Sequence, residues 1–321
     1  MKILITGSTG FVGSALCKHL SSISDYAVVG TGRGALREEF SHLTYFPIDY
    51  SQPEPDWSPA LDQVEVVVHL AARAHVMSEL SVDPMSEFRA VNVLGTLALA
   101  RQALGAGVKR FVYISSIGVN GSFTEGNRFT EQSTVNPHAQ YALSKWEAEE
   151  SLRKLLQGTS MELVIVRPPL VYAAHAPGNF QRLLKLAATG VPLPLGLVRN
   201  SRSMIALENL VGFITLCIKH PQAANQLFLV SDHSDISTPD LIRYIGKGMG
   251  RRMVLIPLPV SFIRIMAVCV GKQNLYTQLC RSLVIDSSKA TQLLGWVPTV
   301  NAEQALVAAG REFINNRASR T

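Results

Sequence analysis

The chain has 321 residues, 47% hydrophobic and 17% charged, a balance that excludes a disordered protein. Its length calls for one large unit plus a smaller lobe rather than a single small core. The net charge of +6 comes without a long Lys or Arg run, so no nucleic-acid partner is expected, whereas an anionic small molecule suits the balance.

Residues 2–6 read as an apolar strand, too short before Gly7 to be a signal peptide. Residues 11–20 have helical spacing, and 27–31 and 44–48 read as strands. Residues 65–70 (EVVVHL) form a continuous apolar run, as expected of a strand buried on both faces. Residues 85–104 are predicted as one helix stopped by Gly105 and Gly107, 110–115 as a strand, 138–156 as a helix, and 163–167 as a strand ending at Pro168-Pro169. This alternation predicts an α/β fold, a doubly wound parallel sheet with right-handed crossovers.

After Pro168, prolines and glycines mark loops around short helices. Residues 227–230 read as one more strand, and from about Asp235 the chain reads as mostly helical. The division expected is 1–168 plus about 203–233 as the dinucleotide-binding domain, and 169–202 plus 234–321 as a smaller lobe, with a cleft between them. Cys17, Cys217, Cys269 and Cys280 form no Cys-x-x-Cys pair and no Cys/His cluster. Disulfides and a metal site are therefore not expected, and a reducing cytoplasm is. Residues 253–270 approach membrane-span length, but Pro257 and Pro259 break the stretch and Arg264 charges it. A buried or interfacial helix after a proline turn is expected there rather than a span, and contact with a membrane surface stays open.

Gly7-Ser8-Thr9-Gly10-Phe11-Val12-Gly13 follows a strand and opens a helix. Glycines there let the backbone turn tightly and approach a pyrophosphate, whose charge sits on the helix N-terminus. The second strand ends Val28-Val29-Gly30-Thr31-Gly32-Arg33. Gly32 stands where an NAD site carries an acid for the ribose hydroxyls, and Arg33, with Arg37 beyond it, suits a 2′-phosphate, so NADP(H) is expected over NAD(H). Asp49 is either an adenine contact or a turn residue. Tyr141 and Lys145 lie four apart on a predicted helix and share a face. An ammonium beside a phenol lowers its pKa, so the pair can exchange a proton with a substrate hydroxyl. Ser115-Ser116 ends a strand at the sheet edge where ligands gather. Asn92 sits inside a predicted helix, where a buried Asn bonded to backbone is the simplest reading.

Together these pieces resemble the extended short-chain dehydrogenase/reductase family, its nucleotide-sugar epimerases, dehydratases and reductases. The resemblance rests on the early glycines, His69-Leu70-Ala71-Ala72, Asn92-Val93-Leu94-Gly95-Thr96, Ser115-Ser116 and Tyr141-x-x-x-Lys145. It spans nearly the whole chain and includes Arg167-Pro168, Tyr172, and Asp286-Ser287-Ser288-Lys289-Ala290 with Leu294-Gly295-Trp296. It implies Tyr141, Lys145 and Ser116 as catalytic. It implies a cofactor held by Gly7, Thr9, Gly10, Phe11, Val12, Gly13, Arg33, Asp49, Tyr50, Leu70, Ala71, Ala72, Asn92, Ser115, Tyr141, Lys145 and Pro168. Ser116, Asn179 and Arg202 would hold a UDP-sugar, and the helices over 85–104 and 138–156 match those of a family homodimer.

The chain departs from the UDP-galactose epimerases at Gly32, at Asn120, where they carry a Tyr, and at Ala173, where they carry a Gly. The resemblance therefore implies oxidoreduction at sugar C4, first as reduction of a UDP-4-keto-(6-deoxy-N-acetyl)hexose in surface-polysaccharide biosynthesis. The alternative is a UDP-hexose 4-epimerase. A third reading, a catalytically dead NADP-binding sensor, sits poorly with an intact Tyr141 and Lys145.

Overall fold

The computed structural model describes residues 1–34, 43–50, 52, 54–74 and 83–318; Arg37 lies outside them. Its strands are β1 (Lys2–Thr6), β2 (Ala27–Gly32), β3 (Leu43–Pro47), β4 (Val66–His69), β5 (Arg110–Ile114), β6 (Glu162–Arg167), β7 (Leu170–Tyr172), β8 (Arg202–Ala206), β9 (Leu227–Leu229) and β10 (Asp235–Ile236). Seven of them form one sheet in the order β3-β2-β1-β4-β5-β6-β9, and every neighbouring pair is parallel. The helices are α1 (Phe11–Ser21), α2 (Ser58–Leu61), α3 (Pro84–Arg89), α4 (Gly95–Gly105), α5 (Gln140–Leu156), α6 (Asn179–Thr189), α7 (Leu207–Lys219), α8 (Thr238–Gly248), α9 (Val260–Cys269), α10 (Gln273–Cys280), α11 (Ser288–Leu294) and α12 (Ala302–Ala318).

The period-two alternation of the strands sorts their side chains into two cores. Ile3, Ile5, Val68, Val112 and Val164 pack on one face with Leu16 and Leu20 of α1 and Leu210 and Phe213 of α7. Leu4, Val67, Phe111, Tyr113 and Ile165 pack on the other with Leu99 and Ala103 of α4 and Leu152 of α5. Strand order reverses between β1 and β4, so the crevice beyond their carboxyl ends is where a ligand belongs. The residues that follow the ends of β1, β4, β5 and β6 are Gly7, Leu70, Ser115 and Pro168.

A third core joins α6, α8 and α12 around Phe180, Leu184, Ile242, Ile245 and Leu306. Beside it lies a small sheet, β10-β8-β7, which no periodicity in the sequence announces. Two other expectations change. The single helix over 85–104 is broken by a π-helical turn at Ala90–Leu94, between α3 and α4. That wider turn buries Asn92, whose amide satisfies the Arg73 backbone. The helix expected after Pro259 is present as α9, and of its two placements only the buried one falls: none of its residues is buried. No helix among the described residues is long and apolar enough to cross a membrane.

Candidate functional site

The first layer of the site is backbone. Gly7 takes a φ of +67°, and its amide donates to the Tyr50 hydroxyl at 3.2 Å. A Cβ on Gly7 would lie 2.9 Å from the Ala71 nitrogen, and one on Gly13 would lie 2.1 Å from the Gly7 carbonyl oxygen. Only hydrogen fits at either position, because the opposing atoms are backbone. Helix α1 then begins at Gly10 with no side-chain cap and no acidic residue in its first turn. Its first amides and the positive end of the helix dipole stay available to an anion. This cradle fits a dinucleotide pyrophosphate.

Behind the cradle runs a chain of hydrogen bonds whose directions are fixed by donors. The Thr6 hydroxyl oxygen accepts from the amides of Leu70 (3.2 Å) and Ala71 (3.1 Å), so its proton goes to His69 Nδ1 at 2.7 Å. His69 Nε2 must then carry the ring proton and donate to the Thr96 hydroxyl at 2.9 Å, which donates to the Asn92 carbonyl at 2.7 Å. Burial, helped by the Lys145 charge, holds the His69 pKa down at about 3 from an ordinary 6.5. The folded chain therefore refuses a proton that the unfolded chain accepts between those values. His69 contributes stability that is present above about pH 6.5 and lost as pH falls toward 3. His69→Gln keeps one donor and one acceptor without titrating. It is expected to flatten the acid limb of urea-unfolding stability between pH 6.5 and 5, where the parent loses up to about 1.4 kcal/mol per pH unit. An unchanged limb would remove His69 as its cause.

On α5, Tyr141 and Lys145 face the cleft. The Lys145 ammonium donates to the Ile114 carbonyl at 2.7 Å and lies 4.5 Å over the Tyr113 ring and 6.0 Å from the Tyr141 ring centroid. Burial pushes Lys145 down to about 7, while Glu149 pulls it back up. The expected depression of Tyr141 by this lysine is not found. Burial pushes the phenol up to about 12 instead, because the ammonium is engaged with a carbonyl rather than with the phenol oxygen. Tyr141 is a protonated donor in this state of the protein.

Ser116 lies half-buried at the end of β5; its Oγ accepts from the Gly118 amide at 3.1 Å, which leaves its own proton free to donate. The Ser115 hydroxyl is already committed, donating to Glu149 at 2.5 Å. Glu149 is fully buried and pairs through both oxygens with Arg167, which also donates to Asn120 at 2.9 Å. Asn120 thus braces the pair that anchors α5 to β6. Sequence reasoning missed Glu149, although Tyr141, Lys145 and Glu149 recur every four residues on one helix face.

Tyr141, Lys145 and Ser116 line a cleft of about 360 Å³ with Gly7, Gly10, Phe11, Val12, Gly13, Leu70, Ala72, Ser115, Pro168 and Asn179. Ala74, Ile114, Pro169, Leu170, Val171, Pro177 and Leu210 complete the wall, and nothing in their local sequence marks the apolar ones. Asn179 begins α6 behind Gly178, whose φ is +73°.

Other predicted site residues fall outside this lining. Asn92 and Tyr50 are buried as braces, Tyr50 hydrogen-bonded to Thr31 and stacked on Trp57. Ala71 closes against Gly7, and Asp49 is exposed after β3. Arg202 turns to the Arg281 carbonyl at 3.0 Å instead of into the cleft, and burial lowers its pKa to about 10. Thr9 and Arg33 sit by Gly32, at the outer end of β2. A Cβ on Gly32 would lie 2.9 Å from both the Thr9 and the Tyr45 hydroxyl oxygens, so an acid there would have to displace them.

Comparison with known proteins agrees with this geometry. Residues 3–230 match the NAD dependent epimerase/dehydratase family. The chain is 40% identical over 319 residues to a UDP-glucose 4-epimerase of Vibrio cholerae, covering 98% of this chain and 97% of that one. It is 28% identical over 263 residues to an N-acetyl-alpha-D-glucosaminyl-diphospho-ditrans,octacis-undecaprenol 4-epimerase of Escherichia coli O157:H7, covering 80% and 75% of the two chains. Its fold matches that of the UDP-glucuronic acid 4-epimerase from Bacillus cereus in complex with UDP-glucuronic acid and NAD. That match has a TM-score of 0.80 and 22% identity over 99% of this chain and 100% of the other.

Proposed function

The chain belongs to the NAD dependent epimerase/dehydratase family, and from that premise we propose that it interconverts the C4 epimers of a UDP-hexose with a retained nicotinamide dinucleotide. The observation that carries this reading is the 40% identity, over nearly the full length of both chains, to a UDP-glucose 4-epimerase. It weighs against the reductase expected from Gly32-Arg33 and favours the alternative.

When bound, the nicotinamide supplies a hydride acceptor and donor. The glycine cradle and the first amides of α1 hold the pyrophosphate. Tyr141 gives and takes the proton of the sugar C4 oxygen, and Ser116 donates its free hydroxyl proton to that oxygen. Lys145, fixed by the Ile114 carbonyl and buried beside Glu149, sets a cation 6.0 Å from the Tyr141 ring centroid and would hold the cofactor ribose. Asn179 orients the nucleotide at the mouth of the cleft. The apolar wall of Ile114, Leu170, Val171 and Leu210 excludes water from the reacting carbon.

The reading includes the division of the chain at 168, 203 and 233; the third core around α6, α8 and α12 favours a second lobe, while α11 packs through Ala290 and Leu294, with Trp296 beyond it, on the first core. It also includes a homodimer through the helices over 85–104 and 138–156, which are α3, α4 and α5. Four unpaired cysteines suit a reducing cytoplasm.

One observation favours a second reading. An acid at Gly32 would have to displace the Thr9 and Tyr45 hydroxyls, and Arg33 is exposed next to it, which suits the 2′-phosphate of NADPH and a 4-ketoreductase. The two readings separate in one assay. The purified protein, without added cofactor, is expected to interconvert UDP-glucose and UDP-galactose or their N-acetylated forms, with no net change in reduced cofactor. Stoichiometric consumption of NADPH on a UDP-4-keto-6-deoxy-N-acetylhexosamine, with no interconversion, would replace the first reading by the second.

A further inference from the structure

Helix α9 has a composition at odds with its place. Its inner edge, Val260 and Ile263, packs on the third core, while Phe262, Ile265, Met266 and Cys269 recur at i, i+3, i+4 and i+7 on the outer face. Phe262 is 49% exposed, Ile265 58% and Met266 49%. Val268, Val270 and Leu275 of the α9–α10 hairpin are exposed to a similar degree, as are Val254 and Ile256 in the segment that leads into it. A helix apolar on nearly all sides belongs inside a core or against a non-aqueous surface, and a contiguous exposed patch of this kind marks a partner.

Charge identifies the partner. Residues 241–285 contain seven Arg and Lys and no Asp or Glu, so this stretch carries +7 while the rest of the chain sums to −1. Arg243, Lys247 and Arg281 are paired with Asp240, Glu303 and Glu125. Arg251, Arg252, Arg264 and Lys272 have no ion pair among the described residues. Arg264 is the one charged residue of α9, and Lys272 stands between α9 and α10. A second copy of this chain would bring two such cationic stretches together and be repelled. A nucleic acid would leave the apolar stripe unused.

We propose that the α9–α10 hairpin seats on an anionic lipid surface. Phe262, Ile265 and Met266 enter the boundary between headgroups and acyl chains, with Arg264 and Lys272 reaching the phosphates. The cleft would then face the aqueous side of a membrane to which the protein binds reversibly.

The test is co-sedimentation of the full chain with vesicles of phosphatidylcholine alone and of an equal mixture with phosphatidylglycerol. At about 0.1 M salt the bound fraction is expected to be at least about tenfold higher on the anionic vesicles, and to fall at about 1 M, where the screening length shrinks to about 3 Å. Ile265→Glu with Met266→Glu should bring binding to the phosphatidylcholine level. Arg264→Gln and Lys272→Gln should each weaken it about fivefold. These side chains are exposed, so the thermal midpoint and cofactor binding should not move. Equal binding to neutral vesicles, or anionic binding kept by the double glutamate variant, would overturn the proposal. So would a parent dimer that the double variant converts to monomer in sedimentation velocity, which would assign the face to a second copy.

Discussion

Tyr141→Phe is expected to lower turnover by about a hundredfold or more, the range over which positioned acid–base groups act, equivalent to at least about 2.7 kcal/mol of barrier. The substitution removes one oxygen and keeps the ring, whose edge packs toward Phe88 at a centroid distance of 6.5 Å. Cofactor affinity should therefore stay within about twofold, since the cradle is made by the backbone of Gly7, Gly10 and Gly13. The informative comparison is steady-state turnover against cofactor binding by fluorescence titration. A Phe variant with near-parental turnover would take Tyr141 out of the reaction. Burial holds this phenol at about 12, so it enters the cycle protonated and must be turned into a base by positive charge nearby. Lys145 is the cation that α5 places for this.

Gly13→Ala is expected to be the most damaging single methyl group in the cofactor site. The added carbon would sit 2.1 Å from the Gly7 oxygen, 2.8 Å from the Gly7 carbonyl carbon and 3.0 Å from the Ser8 Cα. All three are backbone atoms of the glycine-rich turn proposed to hold the pyrophosphate, and none can rotate away. An overpacking cost of about 1–3 kcal/mol transmitted to the turn becomes up to about two decades of cofactor affinity. Thermal stability should fall with it. Gly212→Ala in α7 is the control, because a Cβ there meets nothing and helix interiors favour alanine. If Gly13→Ala bound the cofactor as the parent does, the loop would not be the pyrophosphate site.

Much of this site is legible in the sequence because its parts are local. A glycine-rich turn after a five-residue strand, a tyrosine four residues before a lysine, and serines at a strand end each obey short-range rules of backbone and helix geometry. Tyr141, Lys145, Ser116, Asn179 and the three glycines come together in one cleft, although they are spread over more than half of the chain. The parallel sheet follows from the alternation of apolar runs and helical patterns, and the strands fall within one or two residues of the expected bounds.

What escaped the sequence depends on where a side chain finds its partner. Arg202 carries its charge wherever the chain is read, but only the fold shows it spent on the Arg281 carbonyl, 79 positions away. Asn92 reads as a buried side chain bonded to backbone, but only the π-helical turn selects the Arg73 backbone as its partner. Lys145 and Tyr141 share a helix face by spacing alone, yet their pKa values depend on burial and on the Ile114 carbonyl, and the tyrosine moves opposite to expectation.

The sequence by itself determined the fold class, the glycine-rich turn before α1 and the placing of Tyr141 and Lys145 on one helix face, because backbone conformational freedom and helical periodicity are properties of neighbouring residues. Only the tertiary structure decided the protonation states, the burial of the Glu149–Arg167 pair, the closing of Gly32 by Thr9 and Tyr45, and the exposure of α9. Desolvation and packing are set by atoms that arrive from distant parts of the chain, and no local pattern records which of them will be there.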